Sequence, residues 1–89
     1  MAQRTLELVN RLGLHARAAA KLVHVTSRFT SQVSVRHDDE EVNGKSILGL
    51  LLLAAPCGSS LTFSVDGDDE AQALDAIEHL VKDRFGEPE

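Results

Sequence analysis

Apolar positions along the chain follow two rhythms. Thr5-Leu6-Glu7-Leu8 alternates polar with apolar residues, Gln32 to Arg36 places Val33 and Val35 on one side, and Ser60 to Val65 does the same with Leu61, Phe63 and Val65. A period of two is that of a half-buried strand. The alanine-rich stretch from Ala16 to about Phe29 instead favours helix, with Ala19, Leu22, Val23 and Thr26 at helical spacing. Asn10 to Gly13, Asp38-Asp39 and Asn43-Gly44 supply turns, and Glu40 to Val42 suits a short, charged edge strand. Ser46 stands where it can cap a short apolar helix from Ile47 to about Leu53, which Pro56 and Gly58 close. Acids in Asp66 to Glu70 lead into a last helix, favourable at the positive end of its dipole. That helix runs to about Arg84 with Leu74, Ile77 and Val81 inward, and Gly86 and Pro88 end it.

The predicted order is strand, helix, strand, strand, short helix, strand, helix. Strands with one alternating apolar face take helices on that face and water on the other, so the simplest solution is an open-faced sandwich of the α+β class. The pattern leaves the order of strands in the sheet open.

Length and composition narrow this further. With 89 residues, 43% of them apolar, the expectation is one domain over residues 1–89, without linker, repeat or extensive disorder. Cys57 is the only cysteine, which excludes a disulfide framework; it is expected as a buried small apolar residue. The longest apolar run, Ile47 to Ala55, is too short to span a bilayer, and the first residues have no signal-like apolar core, so a cytoplasmic protein is expected.

Charge is unevenly placed. Residues 1–37 hold six basic side chains and one acid, and residues 38–89 hold three against thirteen. An overall pI near 5.2 argues against direct nucleic-acid binding, while the basic first third suits a small anionic group or an acidic protein surface. His24, His37 and His79 read as surface residues, and no histidine pair has the helical spacing of a metal site, so no metal is expected. Asp38-Asp39-Glu40-Glu41 reads as a solvated turn without calcium-loop spacing.

The unusual feature is Gly13-Leu14-His15-Ala16-Arg17 at a predicted helix start. Free backbone N–H groups and a positive dipole end make such a place a seat for phosphate. His15 could carry a phosphoryl group there, with the amides of Ala16 and Arg17 and the Arg17 guanidinium holding its oxygens. Spacing alone favours a histidine that merely decorates a helix start, with a solvated arginine beyond it. Ser46 is likewise open between an ordinary N-cap and a modification site. Gly44-Lys45-Ser46 is no P-loop, because Asp39 occupies the position where that motif needs glycine.

Leu12-Gly13-Leu14-His15-Ala16-Arg17-Ala18-Ala19-Ala20-Lys21-Leu22 resembles the active-centre segment of HPr, the phosphocarrier family of the bacterial phosphotransferase system. Asn43-Gly44-Lys45-Ser46-Ile47-Leu48-Gly49-Leu50-Leu51 resembles the family's second signature at the family's spacing, and Ala55 to Leu61 its small-residue segment before a strand. The resemblance implies a βαββαβα fold: a four-stranded antiparallel sheet with three helices on one face. It implies a carrier and not an enzyme, one without a cofactor, with His15 the phosphoacceptor through Nδ1 and Arg17 its phosphate partner. Enzyme I would donate the group and enzyme IIA domains receive it, from a monomer that docks through Ala20, Lys21, Lys45, Ile47, Leu48 and Leu51. Ser46 would be the target of an HPr kinase. One departure stands out, since the family usually has proline where this chain has Ala18. Two other readings stay beside this one: a relay of the nitrogen-related branch, and a small α/β binding module without transfer chemistry.

Overall fold

A computed structural model describes residues 1–88. Strands β1 (Ala2–Glu7), β2 (Gln32–His37), β3 (Glu40–Asn43) and β4 (Ser60–Asp66) and helices α1 (Ala16–Thr26), α2 (Ile47–Leu52) and α3 (Glu70–Lys82) follow in the order β1-α1-β2-β3-α2-β4-α3, and a 3-10 turn follows at Arg84–Gly86. The four strands form one antiparallel sheet in the order β1-β4-β2-β3. No helix among the described residues is long and apolar enough to cross a membrane.

Register decides which face is which. Leu6 lies opposite Leu61, Val35 opposite Phe63 and Val33 opposite Val65, so all six point to one face and are buried. On the other face the pairs are polar: the Thr5 and Thr62 hydroxyls meet at 3.0 Å, and Gln3 Nε2 donates to Ser64 Oγ at 3.0 Å. The inner face is covered by α1 through Ala18, Ala19 and Leu22, by α2 through Leu50, and by α3 through Ala73, Leu74, Ile77 and Val81, all in one apolar core. Arg4, opposite Phe63, reaches from the edge of that face to Asp75 and Glu78 of α3 at 3.1 and 2.7 Å.

Several expectations shift. Helix α1 stops at Thr26 and not near Phe29, because the next amides bond three residues back and tighten the chain: Arg28 N–H to Val25 C=O and Phe29 N–H to Thr26 C=O, both at 3.2 Å. Its inward stripe runs through Ala18, Ala19, Leu22, Val25 and Thr26, while Val23 is only half-buried. Cys57 is exposed and not buried. The loop around it is pinned by its backbone, with Gly58 N–H donating to Leu8 C=O at 2.8 Å, and Leu53 and Ala55 fill the core beneath.

The last helix ends at Lys82, short of Arg84, and the chain then hooks back. Arg84 and Phe85 both take left-handed backbone angles, at φ +56° and +54°. That conformation is costly for residues with a side chain, and here tertiary contacts hold it. The Phe85 ring is fully buried in the core, and Lys21 Nζ of α1 donates to the Phe85 carbonyl at 2.6 Å. The hook directs Glu87 back toward the start of α1.

Candidate functional site

Helix α1 begins at Ala16 with His15 as its N-cap residue in extended conformation, and the His15 side chain makes no capping bond. The amides of Ala16, Arg17 and Ala18 have no hydrogen-bond partner among the described residues; the first helical bond at this end is Ala19 N–H to His15 C=O at 2.8 Å. Three donors therefore point along the positive end of the helix, where an anion is favoured. Ala18 is fully buried, so the methyl that stands where the family usually has proline packs into the core.

The loop ahead of His15 is fixed by close approach. Gly13 sits at φ +68°, and a Cβ on it would lie 2.5 Å from the Ala55 carbonyl oxygen and 2.8 Å from Pro56 Cα. Only glycine fits such a contact with backbone on the far side. Leu14 N–H donates to Ala55 C=O at 2.9 Å, and His15 N–H to Gly13 C=O at 3.0 Å.

The His15 side chain is 24% exposed, so the ring is neither swallowed by the core nor free in solvent. Its Nε2 meets Glu87 Oε2 in a short contact, whereas Nδ1 has no partner among the described residues. Glu87 is itself held: Asn10 Nδ2 donates to Glu87 Oε1 at 3.0 Å and to the Gly13 carbonyl at 2.8 Å. Asn10 is fully buried, and both of its amide hydrogens are used in this way. Burial pushes the Glu87 carboxyl up, but hydrogen bonds from Asn10 and His15, with the charges of His15 and Arg17, outweigh it and leave it below the ordinary carboxylate range. Arg17 is exposed, forms no hydrogen bond or ion pair among the described residues, and lines a shallow depression with Arg11, Leu12, Glu87 and Pro88.

Chemically, this is an imidazole with one nitrogen engaged and one open, at a helix start with unpaired amides and an exposed guanidinium. Asn10 and Glu87 escaped the sequence reading. Each lies far from His15 along the chain or outside its helix, and only the left-handed hook brings Glu87 across.

The other expected residues fall as follows. Ile47 and Leu48 of α2 are exposed and Leu51 is half-buried, while Ala20 of α1 is exposed. Leu50 and Leu53 supply the core half of that run. Two lysines of the expected rim are tethered: Lys21 to the Phe85 carbonyl and Lys45 Nζ to the Phe29 carbonyl at 2.7 Å. Ser46 is an N-cap, its Oγ accepting from Gly49 N–H at 3.0 Å. His24 and His79 are exposed and His37 is half-buried, and no group of three His, Cys, Asp or Glu side chains among the described residues could hold a metal ion.

Comparison with known proteins identifies the family. A family model described as "PTS HPr component phosphorylation site" matches residues 2–83. The phosphocarrier protein HPr of Cupriavidus necator is 47% identical over the whole length of both chains. The crystal structure of HPr-C-His from Thermoanaerobacter tengcongensis superposes with a TM-score of 0.96 at 42% identity, covering all of both chains. A crystal structure of an HPr dimer from the same organism gives 0.78 at 42% identity, covering 98% of this chain and all of the other. A chain matched along nearly its whole length by that family model and by these relatives belongs to the HPr family of phosphotransferase-system phosphocarriers.

Proposed function

We propose that residues 1–89 act as a single carrier domain in the cytoplasm, taking a phosphoryl group onto His15 Nδ1 from phosphoenolpyruvate-charged enzyme I and passing it to an enzyme IIA-type acceptor. The observation that carries this is an Nδ1 without a hydrogen-bond partner among the described residues, on the N-cap residue of a helix whose Ala16 and Arg17 amides are unpaired, with an exposed Arg17 guanidinium in the same helix start. In the transfer, the Nδ1 lone pair forms the N–P bond while the bond between phosphorus and the donor nitrogen breaks, its electron pair staying with the donor. Charge builds on the three equatorial oxygens, where helix amides and a guanidinium stabilise it most. No residue of this chain need act as acid or base, so the protein is a substrate of other enzymes and turns nothing over alone.

Docking is assigned to Ala20, Ile47, Leu48 and Leu51, with Lys21 and Lys45 at the rim, on a monomer. An apolar patch of this kind, flanked by charge, fits a transient interface. Ser46 is assigned a second role beside capping. A phosphate placed on its Oγ by an HPr kinase would sit at a helix N-terminus without unfolding it, and its charge would weaken docking of acidic partners.

Incubation with enzyme I and labelled phosphoenolpyruvate tests the reading. Acid-labile, base-stable label on the wild-type chain, lost in a folded His15→Ala variant, is the expected result. A folded wild type that takes no label would leave a binding module without transfer chemistry.

A further inference from the structure

We infer that Asn10 is a positioning residue for His15: its buried side-chain amide fixes the loop that carries the imidazole and the C-terminal hook in register with each other, so that the ring is held in one pose. This rests on the reading of His15 as phosphoacceptor.

Asn10 lies just past the end of β1, at the head of the loop that leads to His15. Its carbonyl accepts the Gly13 N–H at 3.1 Å, and its Nδ2 donates to the Gly13 carbonyl at 2.8 Å. One residue thus grips Gly13 at both its N–H and its C=O. The same Gly13 carbonyl accepts the His15 N–H at 3.0 Å, so the turn that Asn10 closes sets where the phosphoacceptor's backbone lies. The second hydrogen of Nδ2 goes to Glu87 Oε1 at 3.0 Å, 77 residues along the chain. Loop and hook are therefore tied to a single planar group. Its two hydrogens have fixed directions, and close packing around a fully buried side chain leaves it little room to turn.

The far side of the amide shows that this arrangement does not serve stability alone. Both partners of Nδ2 are acceptors, so the amide cannot be reversed without setting oxygen against oxygen. Oδ1 is left facing the interior, where no described residue donates to it. A buried acceptor without a partner costs stability, and an apolar side chain of the same shape avoids that cost. Local conflicts of this sort collect at functional sites, where geometry outranks the last increment of stability. Phosphoryl transfer makes that demand, because the reacting nitrogen must be aimed along the line between donor and acceptor. Asn10 is bonded to the loop and the hook and to neither ring nitrogen, so it acts on the ring through them.

Hydrogen exchange and transfer kinetics test this together. In the wild type both side-chain hydrogens of Asn10 should exchange at least about 10-fold more slowly than those of exposed Asn43, as buried and bonded groups do. Asn10→Leu keeps the size of the side chain and removes its donors. The kcat of enzyme I with this variant as substrate should fall roughly 10- to 100-fold, the range seen when a partner orienting a histidine is removed, while KM stays within about 2-fold because Ile47 and Leu48 are untouched. The backbone amide resonances of His15 and Glu87 should shift together in the variant, since both segments lose one tie. A folded Asn10→Leu protein with wild-type kcat overturns the inference, as does a raised KM at unchanged kcat, which would make Asn10 a docking residue. Fast exchange of the wild-type amide hydrogens overturns it even if the variant does not fold. Exchange and resonance shifts need no transfer partner, so a wild type that takes no label but shows both sinks the phosphoacceptor reading and leaves the tie between loop and hook intact.

Discussion

Replacing Leu48 by aspartate separates docking from folding. Leu48 is 68% exposed, so only about a third of the roughly 1.5–3 kcal/mol that full burial of a leucine contributes is at stake, less than about 1 kcal/mol. The new carboxylate lands in the first turn of α2, where the helix dipole returns about 0.3–1 kcal/mol. The two nearly cancel, and Tm should move by less than about 4 °C. Leu50, two positions along the same helix, is fully buried, and Leu50→Ala should cost about 2–5 kcal/mol and lower Tm by roughly 10 °C or more. Transfer reverses the order. An unpaired carboxylate pressed into an apolar interface costs about 3 kcal/mol or more, roughly 100-fold in kcat/KM for enzyme I. Thermal melts read beside initial phosphorylation rates check both halves. A Leu48→Asp protein that melts as low as Leu50→Ala, or one that folds and is phosphorylated at the wild-type rate, would refute the assignment of this side chain to docking.

Three further substitutions probe the supports around the site. Gly13→Ala should destabilise the fold by about 2 kcal/mol or more, since it adds the left-handed penalty to a collision with the Ala55 carbonyl, and denaturant melts with phosphorylation rates will show stability and transfer falling together. Ser46→Ala should cost about 1 kcal/mol through the lost cap, whereas Ser46→Asp should keep stability and slow phosphorylation by enzyme I. Asp69 takes bonds from the Ser31 hydroxyl, the Thr30 amide at 2.9 Å and the Ser31 amide at 3.0 Å, which lower its carboxyl from 3.8 to about 2. Its contribution is complete above the ordinary carboxylate range and is lost as pH falls toward 2, so Asp69→Asn should flatten the stability profile between those values, as read by urea melts at a series of pH.

The fold was legible where local pattern and tertiary burial coincide. Leu61, Phe63 and Val65 alternate in the sequence and all lie against the helices, and Ser46 caps the helix that its position predicts. Strand order was not legible, because β1 and β2 both pair with β4 through contacts between distant parts of the chain. Cys57 misled because small apolar residues are usually buried, whereas the turn at Pro56–Ser59 is fixed through its backbone and turns that side chain outward. The site was half legible. His15 and Arg17 belong to one helix start and could be paired on paper. Asn10 and Glu87 reach the ring only through a buried amide and a left-handed hook, and Phe85 at φ +54° is a conformation that residue type argues against.

Everything proposed for this chain depends on the open nitrogen at the mouth of α1 receiving the phosphoryl group. Phosphorus-31 and nitrogen-15 NMR of the chain after reaction with enzyme I and phosphoenolpyruvate tests it most directly. The expected result is a single phosphoramidate resonance coupled to His15 Nδ1. Coupling to Nε2, or to any of His24, His37 and His79, would contradict it.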